Sequence, residues 1–166
     1  MPIDYLTNII LPHLQKYAKI QSSMTKRGYY PKGQGKVEIK IIPKFNENIK
    51  QAPEIDLTEQ HNLMQIKGVS HASLDLQESN VAERQATSAR LFLNNLTCPI
   101  QIQTGYQNTE STGSGITLWA IFSKDLDEIS EIRPIRLGAD VLGEKGKRAE
   151  EIGKIAANKL LDEINS

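Results

Sequence analysis

Lys26, Arg27, Lys32 and Lys36 flank a run that reads Tyr29-Tyr30-Pro31-Lys32-Gly33-Gln34-Gly35. Cations beside a glycine-rich turn offer phosphate-binding chemistry, because charge and exposed backbone N–H groups act together. Residues 26–50 hold seven Lys or Arg against two acids, the one basic concentration that the sequence shows. Lys26, Arg27, Lys32, Gly33, Gly35 and Lys36 are therefore the candidate contacts to phosphate, with Tyr29 and Tyr30 available to stack on a base. The competing reading is a solvated hairpin whose lysines block edge-to-edge pairing. The run is not a P-loop, because the Gly-x4-Gly-Lys-Ser/Thr spacing is absent.

Other residue types that carry chemistry give weaker signals. His13, His61 and His71 are the three histidines, and none stands at metal-ligand spacing with a second His, Cys or carboxylate. All three read as surface or hydrogen-bonded histidines, and no metal site is expected. Gly113-Ser114-Gly115 is shorter than a nucleophile elbow and precedes a strand, so a tight turn explains it. Asp140 and Glu144 precede a helix, where acids favour the positive end of its dipole. Arg84 and Arg90 lie six apart on a helix, do not share a face, and read as surface charges. Cys98, the lone cysteine, excludes an intrachain disulfide and reads as a buried structural thiol from a reducing compartment.

The elements that must position these residues alternate between types. Leu6, Ile9, Ile10, Leu14 and Tyr17 predict a helix from Ile3 to Ala18, with Pro12 as a kink. Lys26 to Ile42 reads as a hairpin with a long basic loop, Val37, Ile39 and Ile41 alternating along its second strand. Residues 44–53 form a polar linker bordered by prolines. Extended runs follow at 55–57 and 63–74, then a helix over 80–96 capped by Ser79 or Asn80 with Glu83. Strands are expected at 99–103 and 116–122, a polar loop at 108–114, a charged connection at 125–136, and a final helix at 147–164. The fold class is α+β, with a separate ββαββ unit set into the middle.

Composition bounds the function. The chain has 166 residues, 39% of them hydrophobic, which suffices for a core. Its 20 basic and 20 acidic residues cancel, so overall charge draws it to neither nucleic acid nor membrane. No stretch approaches the roughly 20 apolar residues of a membrane span. The N-terminus lacks the regions of a signal peptide, and a soluble cytoplasmic protein is expected.

Four strings together resemble the RNA 3'-terminal phosphate cyclase family. They are residues 27–35 (RGYYPKGQG), 81–84 (VAER), 113–120 (GSGITLWA) and 137–146 (LGADVLGEKG), the last followed by Ala149-Glu150-Glu151. They stand in the family's order and near its spacing, across essentially the whole chain. Gln34 replaces the middle of three glycines that the family usually carries. The resemblance implies repeated units, each a small sheet with two helices, one of them interrupted by a smaller domain. Residues 1–45 and 132–166 would be parts of one repeat, and 54–124 the insert. It also implies ATP-dependent conversion of an RNA 3'-phosphate to a 2',3'-cyclic phosphate through a histidine–AMP intermediate. ATP and a divalent metal (Mg or Mn) would serve the parent enzyme, with neither expected on this chain alone. The implied partners are the RNA 3' end and, as a separate chain, the remainder of the enzyme. Family members are about twice as long, and none of the three histidines matches the family nucleophile, so no catalytic residue is expected here. The family also includes a non-catalytic ribosome-biogenesis protein, and a stand-alone RNA- or protein-binding module is a third reading.

Overall fold

The computed structural model describes residues 2–44, 58–123 and 135–166. The run expected at 55–57 lies outside these residues, as do nearly all of the 44–53 linker and most of the 125–136 connection. The architecture is α+β with two sheets.

The chain opens with two short α-helical turns, α1 (Ile3–Tyr5) and α2 (Leu11–Leu14), joined by a π-helical turn, Leu6–Ile10. Pro12 accounts for this local form. It lies in the first turn of α2, where a missing N–H costs least. The wider π turn just before it is closed by the Leu11 N–H donating to the Leu6 carbonyl. Helix ends at Leu14 rather than continuing to Ala18, because β1 (Ala18–Lys26) already begins there. β1 pairs antiparallel with β2 (Lys36–Pro43), so the hairpin is longer than expected and its loop is residues 27–35.

The second sheet has four strands in the order β4-β3-β5-β6. β3 (Asn62–Ser73) runs through a short 3-10 turn into α3 (Val81–Leu93) and returns as β4 (Ile100–Gln107), parallel to β3. β5 (Ser114–Ser123) and β6 (Ile135–Leu142) add antiparallel neighbours, and α4 (Ala149–Asn165) follows. β5 is covered on both faces, which explains its near-continuous apolar sequence. Ile116, Leu118, Ala120 and Phe122 pack under the helices with Leu93, Ile152, Ala156 and Leu160. Trp119 and Ile121 turn the other way and pack on Ile9 from the N-terminal helix.

β6 was not foreseen as a strand, and it changes the grouping. The sheet is continuous across the boundary expected between 124 and 132, because Phe122 pairs with Ile135 and Gly115 with Leu142. α4 packs against α3 so closely that a Cβ on Gly153 would strike the Gln85 carbonyl. Ser88 Oγ donates to the Glu150 carbonyl at 2.6 Å, and Arg84 grips both Glu150 carboxylate oxygens at 2.7 and 2.9 Å. Arg84 is thus a clasp between two helices rather than a lone surface charge. The expected cap of α3 also differs. Asn80 has φ 50 and makes no side-chain cap bond. The Tyr106 hydroxyl takes that role, accepting from the Ala82 N–H at 3.0 Å while donating to Glu83.

Candidate nucleic-acid loop and the buried cluster behind it

The 27–35 loop does not stand free. It leans on residues 107–113 of the four-stranded unit at three points. The Arg27 N–H donates to Gln107 Oε1 at 3.0 Å, and the Lys32 N–H donates to Ser111 Oγ at 3.1 Å. Between them the buried Tyr29 ring covers Gly113, where a Cβ would lie inside the ring. Gly113 is therefore required by close approach.

The structure separates the six candidate phosphate contacts into two groups. Lys32, Gly35 and Lys36 are exposed, and neither Lys32 nor Lys36 makes an ion pair among the described residues. Lys26 reaches Glu110 at 3.2 Å across a half-exposed surface, a contact of little energetic weight. Arg27 points inward. Its guanidinium is buried and grips Asp4 through two bonds, at 2.6 and 3.3 Å. Gly33 has φ +65, which favours glycine, and its N–H is spent on the Tyr29 carbonyl at 2.8 Å. Gln34 also has positive φ, 59, so the residue that replaces the family glycine keeps a glycine-like backbone, with about 1–2 kcal/mol of strain. Of the two tyrosines, Tyr30 is 91% exposed and free to stack.

The buried Asp4–Arg27 pair belongs to a four-residue cluster that spans three parts of the chain. His71 on β3 has its Nδ1 2.7 Å from the Tyr29 hydroxyl and its Nε2 3.7 Å from Asp4 Oδ2. Burial, with Arg27 opposing a second charge, lowers the His71 pKa to about 4, while Asp4 pulls weakly the other way. The ring is thus neutral, and the 3.7 Å approach to Asp4 is not an ion pair. Asp4 can only accept, so the Nε2 proton faces it and Nδ1 accepts from Tyr29. Burial pushes the Tyr29 hydroxyl to about 12, which keeps it a donor. His71 was expected to be a surface or hydrogen-bonded histidine; it is buried, with its Nδ1 hydrogen-bonded to Tyr29. Its partners were not legible in the sequence.

A second group of cations lies at the start of α4. Arg84, Lys145, Lys147 and Arg148 border a cleft of about 670 Å³ between α3 and α4. Arg84 and Lys147 are matched there by Glu150 and Glu144. Of the two acids before α4, Glu144 pairs with Lys147 at 2.9 Å on an exposed surface. Among the described residues no group of three or more His, Cys, Asp or Glu side chains could hold a metal ion. The divalent metal that the resemblance implies therefore finds no ligand set in them. No described helix is long and apolar enough to cross a membrane.

The family model described as RNA 3'-terminal phosphate cyclase (RTC), insert domain, matches residues 58–165. The chain belongs to the RNA 3'-terminal phosphate cyclase family. A cyclase of that name from Pyrococcus abyssi is 37% identical over 164 residues, covering 98% of this chain and 43% of that protein. One from Saccharolobus solfataricus is 40% identical over 166 residues, covering 99% of this chain and 44% of that protein. The chain thus spans less than half the length of these cyclases. The cyclase insert match runs through β6, which the four-stranded sheet includes, and on through α4.

Proposed function

We propose that this chain is the RNA-holding portion of an RNA 3'-terminal phosphate cyclase whose catalytic residues lie outside it. In this reading the parent enzyme converts an RNA 3'-phosphate to a 2',3'-cyclic phosphate. There a histidine of the remainder would take AMP from ATP with loss of pyrophosphate, the AMP would pass to the RNA 3'-phosphate, and attack by the 2'-hydroxyl would release AMP. Covalent catalysis of this kind splits one hard step into easier ones. ATP and a divalent metal, Mg or Mn, belong to that remainder, as a separate chain or a joined segment. The similarity to two cyclases along the whole chain supports the reading.

The observation that carries this chain's own share is the exposed Lys32, Gly35 and Lys36 on an anchored loop, with Tyr30 beside them. Two exposed lysines flanking one turn can neutralise neighbouring phosphates, and Tyr30 offers a sequence-tolerant stack. A stand-alone module is the less favoured alternative. Val37, Ile39, Ile41 and Ile42 are all exposed on a two-stranded sheet, as suits a piece that packs against more protein.

The test is a salt titration of the full chain binding single-stranded RNA that ends in a 3'-phosphate. The Lys32→Gln, Lys36→Gln double variant should bind more weakly to every sequence. Its log–log salt slope should flatten by roughly 0.7 per lost contact. An unchanged slope and affinity would leave these lysines as mere solubilising charges.

A further inference from the structure

The basic loop is held from behind by a latch of buried side chains. We propose that the Tyr29–His71 hydrogen bond, backed by the Asp4–Arg27 pair, is a positioning device by which the inserted sheet sets the RNA-binding conformation of the 27–35 loop. The inference rests on the RNA-holding reading above and deepens it.

Three observations carry it. First, the latch joins parts of the chain that the sequence keeps far apart: Asp4 on α1, Arg27 and Tyr29 on the loop, and His71 on β3. Second, all four side chains are buried, with exposures of 6–8%. A buried donor or acceptor without a partner is costly, so the partners hold one another in a single arrangement. Third, Tyr29 sits between Arg27 and Lys32 and its carbonyl closes the turn by accepting from Gly33. Fixing the Tyr29 ring on Gly113 therefore fixes the direction in which Lys32 and Lys36 leave the turn. His71, Tyr29 and Arg27 act here as positioning residues. The loop then meets RNA preorganised, and less conformational freedom is lost on binding.

The latch and the lysines predict different signatures in one experiment. Tyr29→Phe keeps the ring over Gly113 and removes only the hydroxyl. In the full chain it should weaken binding to 3'-phosphorylated single-stranded RNA about three- to tenfold, the range that one net hydrogen bond supports. The salt slope should not move, because no phosphate contact is lost. His71→Leu should behave alike, and the Tyr29→Phe, His71→Leu double variant should be no weaker than either single change, since both break one bond. His71→Asn, whose amide oxygen can accept from the Tyr29 hydroxyl, should restore much of the affinity. All are measured well below the melting temperature of each variant. Lower melting temperatures with unchanged RNA affinity would make the cluster purely structural and overturn the inference. A flattened salt slope in Tyr29→Phe would overturn it too. Failure of the RNA-holding reading looks different: the lysine double variant would then bind like the parent chain.

Discussion

His71 places a titratable ring in contact with Tyr29 and within 3.7 Å of a carboxylate already gripped by Arg27. Its folded pKa, about 4, lies below the ordinary value of 6.5. The unfolded chain therefore takes up a proton at a higher pH than the folded one. The stabilisation from keeping His71 neutral is fully present above about pH 6.5 and is lost as pH falls toward 4. Urea titrations across that window should show stability falling more steeply for the parent chain than for His71→Asn, which cannot titrate. Parallel curves would place the acid sensitivity elsewhere. This cluster was largely illegible in the sequence. Asp4 and Arg27 are 23 residues apart and Tyr29 and His71 42 apart, so neither spacing nor periodicity joins them. Arg27 looked like its lysine neighbours because charge is visible in a sequence and burial is not. The exposure of Lys32 and Lys36 was legible, since a turn rich in Gly and Pro tends to lie at the surface.

At the scale of elements, the clear signals were the long periodic ones. α3 and α4 were foreseen within a few residues, and β5 from its apolar run, because an amphipathic stripe or a buried strand is written locally. β6 was missed. Gly138 and Asp140 interrupt its apolar content, and Gly138 serves tertiary packing: its missing Cβ leaves room for the Ile9 side chain. The β1–β2 ribbon was seen, though not its exposure. Ile20, Met24, Val37, Ile39 and Ile41 share one face by register, Ile20 facing Ile41 and Met24 facing Val37. Such a face in water favours association. Ile39→Lys with Ile41→Lys should leave the thermal melt of the four-stranded unit nearly unchanged while reducing self-association in sedimentation velocity. It should also weaken capture of the enzyme's remainder, if that segment covers this face. A large loss of melting temperature would mean that the ribbon is part of the main core.

For the whole molecule, the insert-family match covers residues 58–165, and all four strands of the larger sheet lie within it. The side chain of Gln60 donates to the Ile164 carbonyl at 2.9 Å, so the two ends of that unit touch. A segment whose ends meet can be set into a host chain, or lifted out of it, with little disturbance to the host backbone. Residues 58–165 expressed alone should therefore melt cooperatively and keep the amide protection of β3 and β5, whereas a piece ending at 124 should not, lacking β6 and α4. The same contact also describes a ring in disguise. Joining residue 165 to residue 58 by a few glycines, and opening the chain between 108 and 113 instead, would give a circular permutant with the sheet order intact. Its new ends would lie in the β4–β5 connection, on which the 27–35 loop leans in the parent chain, so that contact surface could be varied without touching the core.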